Sequence, residues 1–210
     1  MPSSTALAAA APALLMYLAI GYLLGSLPFA VLVSRAFGLA DPRSYGSGNP
    51  GATNVLRSGN KKAALFTLLG DALKGVAAVV LARSLHAPEA VVALTGLAAF
   101  VGHLFPLFLK FKGGKGVATA AGVLLALDPL VGLVTLATWI GVAAISRYSS
   151  MAALIAALTA PLAVGLSGGE GSRLLVVGLM ALGLIAKHWA NIQRLLAGQE
   201  PKIGAKKKAA

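Results

Sequence analysis

Seven apolar runs divide the 210 residues, and a helix that crosses a bilayer core needs roughly 20 mostly apolar residues. The runs are Ala6 to Leu24, Ala63 to Leu81, Ala90 to Leu109, Val117 to Leu127, Leu130 to Ile145, Met151 to Leu166 and Leu174 to Ala186. Hydrophobic residues make up 58% of the chain and charged residues 11%. A soluble domain carries about 45–50% and about 25%. The expected fold class is therefore an all-α integral membrane protein, a single multi-pass domain over residues 1–210 with about seven transmembrane helices. The first run has no basic segment before it and continues through Gly25-Ser26-Leu27-Pro28 into further apolar residues, so it reads as a span and not as a cleaved signal peptide.

Val117 to Ser146 is broken only by Asp128-Pro129, too long for one upright helix and short for two. Charge chooses between these readings. With a hairpin at Asp128-Pro129 and the N-terminus outside, fifteen of the 18 Lys and Arg residues fall on the cytoplasmic side, Arg83 and Arg173 fall outside, and Lys74 lies in a span. With one tilted helix the split becomes nine to eight. Positive charge collects on cytoplasmic loops, so a hairpin and a cytoplasmic C-terminus are expected. The last residues, 203–210, read as a flexible basic tail near anionic headgroups.

The formal net charge of +12 and the absence of cysteine narrow the chemistry. Disulfides, thiolate metal sites and a cysteine nucleophile are excluded. The basic residues sit between apolar runs with only four tyrosines for stacking, so anionic lipid and anionic substrates are expected as partners, not nucleic acid. No metal or cofactor is expected, because His86, His103 and His188 fall on different loops or depths with few acids near them.

Three segments outside the apolar runs are expected on one face. The first, Gly46-Ser47-Gly48-Asn49-Pro50-Gly51-Ala52-Thr53-Asn54-Val55-Leu56-Arg57, satisfies G-x-G-x-x-G but lacks the preceding strand of a dinucleotide fold. Its glycines can still turn backbone N–H groups toward one point, beside Ser47, Thr53, Asn54 and Arg57; an anion fits there, and an ordinary surface turn is the plain alternative. The second, Lys112-Gly113-Gly114-Lys115-Gly116-Val117-Ala118-Thr119, places two lysines at a helix start without the full P-loop pattern. The third begins at His188 directly after the last span. Helical spacing aligns His188, Asn191 and Arg194 on one face, where they could reach a phosphate or hydroxyl. Asp71 and Lys74, three apart within a span, are expected to pair and support the first loop, and His103 reads as a satisfied core histidine. Gly165-Leu166-Ser167-Gly168-Gly169 fits G-x-S-x-G without the strand-turn-helix setting of a serine hydrolase. No histidine is followed five residues later by aspartate, so the H-x-x-x-x-D pair of common glycerolipid acyltransferases is absent.

With these three ordered segments, and with Asp71-Ala72-Leu73-Lys74-Gly75, the sequence resembles the bacterial acyl-phosphate:glycerol-3-phosphate acyltransferases, the PlsY family. The matching patterns are G-S-G-N-x-G-A-T-N-x-x-R, K-G-G-K-G-x-A-T and H-x-x-N-I-x-R-L-x-x-G-x-E. The resemblance implies an acyltransferase of phospholipid biosynthesis in the bacterial inner membrane, with its site facing the cytoplasm. It would transfer acyl from acyl phosphate to the sn-1 hydroxyl of glycerol-3-phosphate, and the enzyme that makes acyl phosphate could dock on the basic face. It implies substrate contacts at Arg43, Ser47, Gly48, Asn49, Gly51, Thr53, Asn54, Arg57, Lys112, Gly113, Gly114, Lys115, Thr119, Ser150, His188, Asn191 and Arg194. The first loop would hold the acyl-phosphate head; Arg43, Lys112, Ser150, His188 and Asn191 would bind glycerol-3-phosphate; Lys115 and Arg57 would neutralise phosphate. It also suggests that a substrate phosphate takes the hydroxyl proton, with His188 as the alternative base. The competing class is a small membrane transporter for phosphorylated or anionic solutes, which would place its binding groups near the midplane.

Overall fold

The computed structural model describes residues 4–169 and 171–204, with side chains from residue 11 onward. Of the basic tail expected over 203–210, residues 205–210 lie outside this description. The described residues are helical, without strands: α1 (Ser4–Ser26), α2 (Phe29–Ala36), α3 (Ala52–Val55), α4 (Lys61–Ser84), α5 (Glu89–Leu104), α6 (Val117–Leu127), α7 (Pro129–Ser146), α8 (Ser149–Leu166), α9 (Gly171–Lys187) and α10 (Trp189–Leu196). Short 3-10 turns occupy Leu56–Ser58 and Leu107–Leu109.

Each of the seven apolar runs forms helix, but their lengths differ. By length and composition five segments can cross a bilayer, among them Ala11–Ala36 from α1 and α2; α9 and α10, bent by 59°, make a sixth if taken together. The eleven residues of α6 rise about 16 Å, roughly half of an apolar core of about 30 Å. The expected bundle of about seven is thus five or six full-length spans with one short helix packed among them.

The hairpin at Asp128-Pro129 is formed. The Asp128 carboxylate caps α7 by accepting from the N–H groups of Leu130 and Val131, at 3.1 and 3.2 Å, with Pro129 in the first helical position where its missing N–H costs nothing. Arg173 reaches Asp128 at 3.1 Å, while Arg83 pairs with Glu89 at 3.1 Å and donates to the Ala126 carbonyl at 2.8 Å. These contacts gather the α4–α5, α6–α7 and α8–α9 turns at one end of the bundle. The longer loops collect at the other.

Helices pack closely where glycine meets backbone: a Cβ at Gly25 would run into the Ala99 carbonyl across α1–α5, and one at Gly122 into the Ala72 carbonyl across α4–α6. Phe100, Val123, Met180 and Leu184 fill the centre, and large apolar side chains such as Leu73, Leu162 and Leu182 face outward. That inversion of the soluble pattern suits a lipid surround.

One charged cluster lies inside. Lys74 Nζ is 2.9 Å from Asp71 Oδ1, so the expected pair forms; the amine also donates to the Leu27 carbonyl at 2.9 Å, at the break between α1 and α2. His103 joins them, with Nδ1 3.4 Å from Asp71 Oδ1 and 3.1 Å from Thr119 Oγ1. This cluster ties α1, α4, α5 and α6 together directly beneath the second glycine-rich turn.

Candidate functional site

The first loop is wound around one side chain. Asn54, 2% exposed, accepts from the Ser47 N–H at 2.9 Å and donates to the carbonyls of Pro42 at 2.6 Å and Tyr45 at 3.2 Å. To make this turn Gly46 and Gly48 adopt φ of +62° and +66°, the left-handed region glycine enters without a Cβ penalty. A Cβ at Gly46 would also strike Asn54 Oδ1. Asn54 is therefore spent on the loop itself, and what it presents are Ser47, Gly48 and Asn49. Thr53 faces Ser149, with hydroxyls 3.3 Å apart, and Arg43 is held by Asp41 at 2.6 Å. The Arg43 guanidinium beside Asp41 holds that carboxyl below the usual range.

The second turn rests on His103. The Gly114 N–H donates to the His103 carbonyl at 3.1 Å, and a Cβ at Gly114 would collide with the ring nitrogen Nε2. Gly116, φ +82°, ends the turn and caps α6. Held this way, Lys115 donates to Asn191 Oδ1 on α10. Burial pushes its amine down to about 8, opposed by Glu200 and reinforced by Arg194 and Arg57.

The third element turns at His188, where the chain bends by 59° between α9 and α10. His188 is 3% exposed, and its Nδ1 donates to the Leu184 carbonyl at 2.8 Å, which leaves the lone pair on Nε2. Burial pushes the ring down to about 4, so it is neutral near pH 7. Beyond the bend, Glu200 organises the polar face of α10: its Oε1 accepts from Ser150 at 2.7 Å and Asn191 Nδ2 at 2.6 Å, and its Oε2 from Arg194 Nε at 2.7 Å. Burial alone would raise this carboxyl, but the hydrogen bonds from Ser150, Asn191 and Arg194 win and hold it below its ordinary value.

The three segments meet around a pocket of about 630 Å³ at the loop-bearing end. Ser47, Gly48, Asn49 and Arg57 line it from the first loop, Gly113 and Lys115 from the second, and Asn191 and Arg194 from α10. Of the other residues expected at a site, Asn54 and Thr53 brace the first loop, Gly51 precedes α3, Gly114 and Thr119 pack on His103, Ser150 holds Glu200, His188 is buried at the bend, and Arg43 and the exposed Lys112 stand off the lining. Lys187, Gly46, Ala190 and Pro201 in the lining, and Glu200 bracing it, are not among the site residues expected from the sequence. Glu200 had a legible signal, since it is one of only two acids in the loops on the basic face. Four cations, Arg57, Lys115, Lys187 and Arg194, line the pocket, and Glu200 pairs with one of them. Such a surplus around N–H-rich backbone suits two phosphates better than one.

The family model described as glycerol-3-phosphate acyltransferase matches residues 15–198. A protein of that name from Dechloromonas aromatica is 64% identical over 188 residues, covering 90% of this chain and 95% of the relative. One from Cupriavidus metallidurans is 57% identical over 198 residues, covering 92% and 98%. The fold is similar to the crystal structure of PlsY, an integral membrane glycerol 3-phosphate acyltransferase, in its glycerol 3-phosphate form, with a TM-score of 0.86 at 38% identity over 91% of this chain and 96% of that one. The lysophosphatidic acid form of PlsY gives a TM-score of 0.85 at 37% identity with the same coverage.

Proposed function

The chain belongs to the glycerol-3-phosphate acyltransferase family, and from that premise we propose that it transfers a fatty acyl chain from acyl phosphate to the sn-1 hydroxyl of glycerol-3-phosphate. The hydroxyl oxygen forms an ester bond to the acyl carbon, the anhydride C–O bond to phosphate breaks, and the hydroxyl proton passes to a substrate phosphate. The products are 1-acyl-glycerol-3-phosphate and inorganic phosphate. The observation that carries the reading is the pocket itself, with four cations and two glycine-rich turns at one end of an apolar bundle. Both reactants are phosphorylated and one carries a long apolar tail, so the arrangement matches what they share. The glycerol 3-phosphate and lysophosphatidic acid forms of the PlsY neighbour agree with the acceptor and product classes.

An acyl phosphate is an activated anhydride, so the protein's task is to hold two anions together and stabilise charge at the carbonyl and the departing phosphate. Ser47, Gly48, Asn49 and Arg57 take one phosphate; Gly113, Lys115, Asn191 and Arg194 take the other. The structure bears on the choice of base. His188, pushed down to about 4, is a weak proton acceptor, while a phosphate monoester titrates near pH 6. On this reading the phosphate of glycerol-3-phosphate, not His188, takes the hydroxyl proton. Because the pocket sits at the loop end of the bundle and not at mid-depth, its position does not favour the transporter class. On the same reading the excess of Lys and Arg in its loops sets the basic end on the cytoplasmic side of the bacterial inner membrane.

The test is to mix purified protein in detergent with palmitoyl phosphate and glycerol-3-phosphate and follow phosphate release. Release that requires both reactants is expected. Turnover with acyl-CoA or acyl-carrier protein but not with palmitoyl phosphate would remove the donor assignment.

A further inference from the structure

Lys187 is the last residue of α9, lines the pocket, and has no carboxylate within 4 Å among the described residues. Its Nζ instead lies 4.3 Å from the centroid of the Phe105 ring, within the range of a cation–π contact. Phe105 is fixed by its backbone: its N–H donates to the Val101 carbonyl at 2.9 Å and its carbonyl accepts from Tyr22 Oη at 2.8 Å. Phe105 as a whole is 45% exposed. Pro106, next in sequence, packs against Gly113, a residue of the pocket wall, and a Cβ at Gly113 would drive into the Pro106 ring. Phe105-Pro106 therefore stands between the Gly113 turn and an exposed aromatic surface, to which Phe108 and Phe111 contribute at 56% and 57% exposure. Elsewhere the lining comes from the two glycine-rich turns, from Ala190, Asn191 and Arg194 of α10 and from Pro201, and on the α9–α10 corner the exposed Trp189 adjoins Ala190.

An amphiphile whose phosphate occupies this pocket must lay its chain across some part of the rim to reach lipid. Among the described residues the rim has one place where a pocket cation touches an exposed aromatic ring. We infer that the Lys187–Phe105 pair is the lip over which the acyl donor's chain passes between pocket and bilayer, Lys187 meeting the polar head and Phe105 the first methylenes. The inference rests on the acyl-phosphate reading above. It assigns donor recognition to two residues outside the three glycine-rich and helix-end segments, and it separates their role from that of the residues that bind glycerol-3-phosphate.

The experiment compares wild type with Lys187→Gln, Lys187→Arg and Phe105→Ala in steady-state kinetics with palmitoyl phosphate, with short-chain butyryl phosphate and with glycerol-3-phosphate varied in turn. Lys187→Gln raises KM for palmitoyl phosphate about tenfold while KM for glycerol-3-phosphate stays within about twofold, as loss of one charged contact to the donor alone requires. Lys187→Arg, which keeps the charge over the ring, restores most of that loss. Phe105→Ala raises KM for palmitoyl phosphate and leaves that for butyryl phosphate unchanged. Equal rises for donor and acceptor, or no change in either, would overturn the lip. Binding of dodecyl phosphate, measured by calorimetry without turnover, keeps the two readings apart. If wild type binds it and both Lys187→Gln and Phe105→Ala weaken that binding, the lip stands even where palmitoyl phosphate proves not to be a donor. Dodecyl phosphate bound equally by all the variants removes the lip and leaves the donor assignment standing.

Discussion

Asp71 links Lys74 and His103 inside the bundle, whereas a chain of hydrogen bonds runs from Lys115 through Asn191 and Glu200 to Arg194 at its loop-bearing end. The same turn, Gly113 to Gly116, lies between them, resting on His103 below and presenting Lys115 above. In the inner cluster the side chains of Lys74 and Asp71 are 2% and 4% exposed, and the single carboxylate is matched by the single amine. In the outer cluster one carboxylate faces several cations, and the lining is open. Charge that is matched and closed off can only hold helices together. Charge that is unmatched and reachable is left for a ligand.

The largest expected effect is at the inner cluster. Asp71→Ala leaves Lys74 buried without its counterion, which costs about 3–5 kcal/mol and should show as a large fall in the thermal midpoint in detergent. A variant that unfolds like wild type would show that the inner charges do not hold the helices. Next comes Lys115→Gln, which removes a charged hydrogen-bond donor from the pocket, a loss of about 1.5–3 kcal/mol or about 10- to 150-fold in kcat/KM. Its thermal midpoint should barely move. Lys112→Ala is the matched control, expected to have the smaller effect because Lys112 stands off the lining. Equal losses in the two variants would mean that the second turn binds through both lysines.

Gly114→Ala probes the seam between the clusters. A methyl placed against the His103 ring is overpacking, expected to cost about 1–3 kcal/mol, and because the turn carries Lys115, activity should fall along with stability. A loss of stability without loss of activity would uncouple the two regions. The smallest effect is in pH. Lys115, pushed down to about 8, is charged below that pH and loses its proton as pH rises through it, so phosphate attraction is present on the acid side and lost on the alkaline side. The kcat/KM for the phosphorylated substrates should fall about tenfold from pH 7 to 9, and Lys115→Arg should flatten that limb. His188, pushed down to about 4, should add no limb near pH 6 to 7.

Much of this arrangement was legible in the chain. The seven apolar runs, the bias of basic residues and the cap at Asp128-Pro129 fix the helices and their hairpin, because each depends only on local composition and spacing. The Asp71–Lys74 pair follows from a separation of three residues on one helix. Glu200 and His103 illustrate what could not be read. Glu200 is fifty residues from Ser150, and His103 is 32 residues from Asp71 along the sequence, yet each side chain works through that distant partner. Glycine was legible as turn-forming, but not that Gly114 exists to accommodate the His103 ring.

The sequence by itself determined that the chain is a helical membrane protein and which three segments carry its cations, since apolar run length and charge distribution act locally and add up along the chain. Only the tertiary structure decided which of those residues face a common pocket and which are consumed in building it. Asn54, Thr119 and Ser150 are polar residues of the kind that bind ligands, and their hydrogen bonds go instead to the protein. A side chain has a fixed number of donors and acceptors, and packing settles where they are spent.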